Sequence, residues 1–161
     1  MKKIVNSLLM LLVLATVIVS CKNVEKQIIG KWQVSSVDVQ GIDKFVQQMA
    51  IQMGMDEKQI DTYIEQMKTQ IEENYKSSYN EQIFEFTPDY KLSIYTDATS
   101  ENKIINNWKY NKEANSIDIT SDNGEGFQFI INKIDSQTLE AEIKNLNKDE
   151  EIKTLLIFKK I

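Results

Sequence analysis

The chain is predicted to be mostly β with a helical insertion: an eight-stranded antiparallel up-and-down barrel with two helices between its first and second strands. Three observations predict this. Short segments in which apolar and polar residues alternate, as half-buried strands require, recur along the chain. Turn-rich pieces join them closely enough for hairpins, and consecutive hairpins close most simply as a barrel. A single stretch, residues 42–78, abandons the period of two for spacings of three and four.

Taken in order, the first strand runs from Gly30 to Val39. Trp32 and Val34 share one face, while Val37 and Val39 share the other, so a bulge near Ser35 and Ser36 is needed to bring both pairs inward. The helical stretch follows. Ile42, Phe45, Val46, Met49 and Met53 mark one helix, and Ile60, Ile64, Met67, Ile71 and Tyr75 mark a second. Gly54 interrupts the pattern, and Asp56 with Gln59 three residues later has the form of a capping box opening the second helix. The stripe is expected to bury itself on the nearest apolar surface, the barrel mouth, as part of the core.

The remaining strands are read from Phe84/Phe86, Leu92/Ile94, Trp108/Tyr110, Ile117/Ile119, Phe127/Phe129/Ile131, Leu139/Ala141/Ile143 and Leu156/Phe158. Their turns are Pro88-Asp89-Tyr90, Asn111 to Asn115, Asp122-Asn123-Gly124, Asp135-Ser136-Gln137 and Asn147 to Glu150. With one proline, five glycines and no Pro/Gly/Ser-rich linker, nothing divides the chain after residue 27, so residues 28–161 form one domain.

Upstream lies Cys21, the only cysteine, which rules out an intrachain disulfide. Lys2 and Lys3 precede an apolar run from Leu8 to Val19 that is short for a membrane span, and the small Ser20 stands before the thiol. Residues 1–21 resemble a bacterial lipoprotein signal peptide. The resemblance implies removal of residues 1–20, diacylglycerol on the Cys21 thiol, usually an acyl chain on the new amino group, and a lipidated tether over residues 21–27. An uncleaved anchor helix or a secretory signal cut elsewhere are the alternatives, and both also place the folded part outside the cytoplasm. Two or three acyl chains anchor a protein durably, so the expected location is the bacterial cell envelope, lipid-anchored at the outer membrane on its periplasmic or surface face.

A second resemblance rests on Ile28-Ile29-Gly30-Lys31-Trp32-Gln33-Val34, on Trp108-Lys109-Tyr110 with Ile117-Asp118-Ile119, and on the terminal Leu155-Leu156-Ile157-Phe158-Lys159-Lys160. These are similar to the Gly-x-Trp opening strand and short-strand pattern of lipocalin-like domains, and especially to the small lipocalin-like lipoproteins of Bacteroidota-type bacteria. The resemblance implies that Gly30 and Trp32 pack at the closed barrel end, where the family uses an arginine near the last strand. The chain has no arginine. Lys159 or Lys160 is expected to cover Trp32 with its stem and bring its ammonium to the ring.

An eight-stranded barrel either fills with side chains or holds one small molecule. The inward set is rich in aromatics, which favours a largely filled interior with a shallow pocket at the end covered by the helices. Phe84, Phe86, Trp108, Tyr110, Phe127 and Phe129, with Met49 and Met53 from the helices, are the candidate lining residues. The methionine group Met49, Met53, Met55 and Met67 reads first as packing, then as an adaptable lid, and only last as thioether ligands, since no His or free Cys accompanies it.

Several function classes fall away. Without His there is no Ser-His-Asp arrangement and no imidazole zinc site. The acidic pairs Glu72/Glu73 and Asp97/Glu101, and the run Asp149 to Glu151, read as solvated surface rather than paired catalytic carboxylates. Asp122-Asn123-Gly124-Glu125 lacks the rest of a calcium loop. No catalytic residue, metal or cofactor is therefore expected. Removing Lys2 and Lys3 from the 19 lysines leaves 17 against 24 acidic residues, a balance of −7 that disfavours nucleic acid. Two readings remain: a non-catalytic module that binds a small apolar ligand, or a structural lipoprotein with a filled barrel that docks another envelope protein.

Overall fold

The computed structural model describes residues 23–96, 103–145 and 152–161. The signal segment, Cys21, the pair Asp97/Glu101 and the acidic run Asp149 to Glu151 lie outside them, as does the Asn147 to Glu150 turn. Eight strands form a closed, entirely antiparallel barrel in chain order. They are β1 (Gly30–Gln40), β2 (Ile83–Phe86), β3 (Lys91–Tyr95), β4 (Ile104–Asn111), β5 (Ser116–Thr120), β6 (Gly126–Ile134), β7 (Thr138–Asn145) and β8 (Lys153–Lys160). Closure follows from β1, which is longer than its neighbours. Its start pairs with β2, Trp32 opposite Phe84, while its whole length beyond Trp32 pairs with β8.

The register of β1 against β8 shifts between Val34 and Ser36. That bulge sets Val34 opposite Phe158 and Val37 opposite Leu156, so both apolar pairs of β1 oppose inward residues of β8. A second shift, between Ile131 and Lys133, does the same for β6, carrying Ile134 to Leu139. The alternation of each strand delivers a continuous core from Trp32, Phe84, Phe86, Leu92, Trp108, Ile117, Ile119, Phe129, Leu139, Leu156 and Phe158, all buried. Phe84, Phe129 and Phe158 meet edge to face with centroids 5.3–5.6 Å apart, the arrangement aromatic quadrupoles favour.

Helix α1 (Val24–Ile28) corrects the sequence reading, which placed these residues in the tether. Five residues are enough for one turn, and Ile28 at its end is fully buried in the barrel core, with Val24 and Ile29 packed beside it. Residues 24–27, read from the sequence as tether, therefore pack with the barrel. The turns use the expected chemistry. The Asn111 carboxamide accepts from the backbone N–H of Glu113 and Ala114, and the Asp135 carboxylate accepts from those of Gln137 and Thr138.

Helices α2 (Ile42–Gln52) and α3 (Glu57–Tyr79) stand between β1 and β2. The capping box forms: Gln59 N–H donates to Asp56 Oδ1 and Asp56 N–H donates to Gln59 Oε1, both at 3.0 Å. Gly41, at φ 84°, lets the chain leave β1 and turn directly into α2. The stripe is buried differently from expectation. Ile42, Val46, Ala50 and Ile60 are buried, yet none belongs to the barrel's core cluster, where only Tyr79 represents the helices. The two short-connected helices cover each other's apolar faces and so leave little stripe for the barrel.

Candidate ligand-binding site at the barrel mouth

Each end of the barrel follows from where its strands start and stop. At the closed end Trp32 is fully buried, and its indole N–H donates to Ile28 O at 2.7 Å, so α1 is fastened across the opening. Lys160 covers the ring, its Nζ 4.7 Å from the centroid, and donates to Gln27 O and Ile29 O at 2.9 and 2.8 Å. Burial lowers the pKa of this ammonium, a cost that the two carbonyls and the ring face offset. Gly30, at φ 132°, makes the approach possible, because a Cβ there would stand 2.7 Å from Lys160 Cε. Lys159 is exposed on the outer face, opposite Gln33, and takes no part. Of the two lysines expected near Trp32, only Lys160 is there.

The closed half is filled. Phe86 and Trp108 pack edge to face with centroids 5.5 Å apart, and Trp108 donates its indole N–H to Thr87 O at 3.2 Å. Tyr110 packs against the same core and donates its hydroxyl to Asn115 Oδ1 at 3.0 Å. These three candidate lining residues are structural. They lie among the side chains that plug the barrel and line neither of the chambers at its other end.

The opposite end is the mouth. There the registers Phe84 to Ile94, Ile94 to Ile104, Phe127 to Asn145 and Ile143 to Thr154 place successive inward residues around one ring. They enclose a chamber of about 360 Å³, roofed by Tyr75 and Tyr79 from the last turns of α3 and floored by Phe84 and Phe129. A second chamber of about 460 Å³ shares Ile94, Ile104, Phe127 and Asn145 with the first and reaches out to Ser121, Glu125 and Gly126 at the turn between β5 and β6. Each falls within the roughly 300–1,000 Å³ of ordinary ligand pockets. The walls are largely apolar, interrupted by the buried Asn106 and Thr154 and by Gln82, Ser121, Glu125 and Asn145.

Of the eight expected lining residues, Phe84, Phe127 and Phe129 are brought together here, with Phe127 meeting Phe129 edge to face at 5.3 Å. Met49 and Met53 line neither chamber. Met49 is half-buried on α2, and Met53 at its C-terminal end is 59% exposed, because the short connection turns α2 away from the mouth. Tyrosines take the place the methionines were expected to hold. Tyr79 continues the stripe of α3 one turn past Tyr75, and Asn106 and Thr154 lie two residues before Trp108 and Leu156 on inward faces, so their positions were present in the periodicity.

Glu72 is paired with Lys76 at 2.6 Å on the surface of α3. Asp122 to Glu125 form a hairpin turn in which Gly124 N–H donates to Ser121 O and Glu125 N–H donates to Asn123 Oδ1. Among the described residues no group of three His, Cys, Asp or Glu side chains is placed to hold a metal ion, and no helix is long and apolar enough to cross a membrane. No protein-family model, no curated protein and no solved structure matches the chain.

Proposed function

We propose that this chain is a lipid-anchored, lipocalin-like protein of the bacterial cell envelope, held at the outer membrane through Cys21, that binds a small apolar molecule at the barrel mouth and catalyses nothing. The observation that carries the binding reading is the two-chambered mouth. Aromatic and aliphatic walls converge there with a few amides and hydroxyls, the composition that ligand sites favour. The lipocalin-like part of the reading is supported by the closed end, where Gly30, Trp32 and Lys160 hold the positions that the resemblance gives to its Gly-x-Trp strand and terminal cation.

A second reading, a structural lipoprotein that docks an envelope protein, draws on the filled closed half and on Ile105, on the outer face of β4 and 60% exposed. Native mass spectrometry of the protein purified from its own host separates the two. A non-covalent small-molecule adduct that disappears in Asn145→Trp, which would fill the space both chambers share, is the expected result. A mass equal to the lipidated polypeptide, together with a stoichiometric protein partner, would replace the first reading with the second.

A further inference from the structure

Charge is distributed at the mouth in a way that selects among apolar ligands. The chain has no arginine and no histidine, so lysine is its only cationic side chain. Among the described residues no lysine lines either chamber, and Lys148 lies outside them. The lysines whose neighbours do are turned elsewhere. Lys153, beside Thr154, pairs with Glu142 at 3.7 Å, Lys76, beside Tyr75, pairs with Glu72 at 2.6 Å, and Lys103, beside Ile104, lies over the Tyr95 ring at 4.5 Å. Lys144, between Ile143 and Asn145, is exposed on the outer face. Among the described residues the one charged group on the walls is Glu125, at the outer end of the larger chamber.

We infer that the mouth takes uncharged amphiphiles, molecules with an aromatic or branched apolar body and neutral hydrogen-bonding groups, and rejects fatty acids and other anions of the same size. This inference rests on the binding reading proposed above and deepens it. A carboxylate carried into either chamber would lose its hydration with no cation to replace it, and would face Glu125 on entry. A neutral hydroxyl, carbonyl or amide loses far less. It meets polar side chains in Asn106, Asn145, Thr154 and Gln82, while its apolar body lies against Phe84, Ile94, Phe127 and Phe129.

A matched pair of fluorescent probes isolates the charge. N-phenyl-1-naphthylamine is neutral, and 8-anilino-1-naphthalenesulfonate is the same diarylamine carrying one sulfonate. Titrated into the purified protein, the neutral probe should bind at least about tenfold more tightly, given the cost of burying an unpaired anion. Asn145→Lys should raise affinity for the sulfonate and narrow or reverse the ratio. Ser121→Lys, at the chamber rim, should act in the same direction and serves where the first variant fails to unfold cooperatively. Equal or tighter binding of the sulfonate by the parent protein would overturn the selectivity while leaving a binding module in place. Binding of neither probe would overturn the binding reading and the inference with it.

Discussion

Trp32 is held in three ways at once: full burial, an indole hydrogen bond to the helix that precedes it, and an ammonium over its face. Replacing it with alanine should cost about 3–5 kcal/mol, the usual loss for a large buried aromatic, and the denaturant midpoint measures it. An unchanged midpoint would mean that the closed end contributes nothing to stability. Gly30 supplies a separate test. Gly30→Ala forces an L side chain to a positive φ, at a cost of about 1–3 kcal/mol, and also collides with Lys160. Lys160→Ala in the same chain should relieve the collision and leave the backbone cost, so the two substitutions should be non-additive in a double-mutant cycle. Strict additivity would show that the contact is not felt. At this scale the resemblance to a Gly-x-Trp strand pointed to Trp32 and a terminal lysine, and Lys160 lies over the Trp32 ring. It did not choose Lys160 over Lys159, although the period already puts Lys160 on the face of Leu156 and Phe158. Nor did it show that Gln27 and Ile29 would supply the carbonyls that fix the ammonium, because those lie in a segment with too few residues to display a period.

The helices are the element on which sequence reasoning and structure diverge most. Spacing alone places ten apolar residues on one stripe and gives the capping box, and both are found. Spacing does not say what the stripe touches. Because α2 and α3 are joined by only a few residues, they pack on each other, and Ile42, Val46, Ala50 and Ile60 form a small core apart from the barrel's. The sequence reading expects loss of the helices to expose the barrel core; this separation leads to the opposite expectation. Replacing residues 43–78 with a short Gly/Ser loop should leave a soluble barrel that still unfolds cooperatively but has lost Tyr75 and the helix that holds Tyr79 over the mouth. Near-UV circular dichroism and a denaturation curve decide it. A molten state that binds hydrophobic dye indiscriminately would show that the helices belong to the core after all.

For the molecule as a whole, a barrel closed by β1 and β8, sealed at one end and hollow at the other, needs no membrane-binding surface of its own if Cys21 carries lipid. Cys21→Ser should therefore abolish incorporation of a fatty-acid analogue, because serine cannot form the thioether, and leave the precursor unprocessed or the domain free of the membrane. Label retained by the serine variant would remove the lipoprotein reading. Substitutions at the mouth should leave this anchoring untouched, since the site and helix α1 are at opposite ends of the barrel.

By itself the sequence determined the strand count, their order and the inward face of each, because a period of two can be satisfied in only one register once one face is buried. It even required the bulge in β1, since Val34 and Val37 could not otherwise share a side. Only the tertiary structure decided where the barrel is full and where it is empty. Phe86 and Phe84 are two residues apart on the same face, yet one packs against Trp108 in the plug and the other floors a chamber. That difference comes from how side chains of eight strands fit across the lumen, from the tyrosines that a separately packed helix extends over one end, and from the indole and ammonium that close the other. Contacts of that kind join residues far apart in the chain, and no local pattern records them.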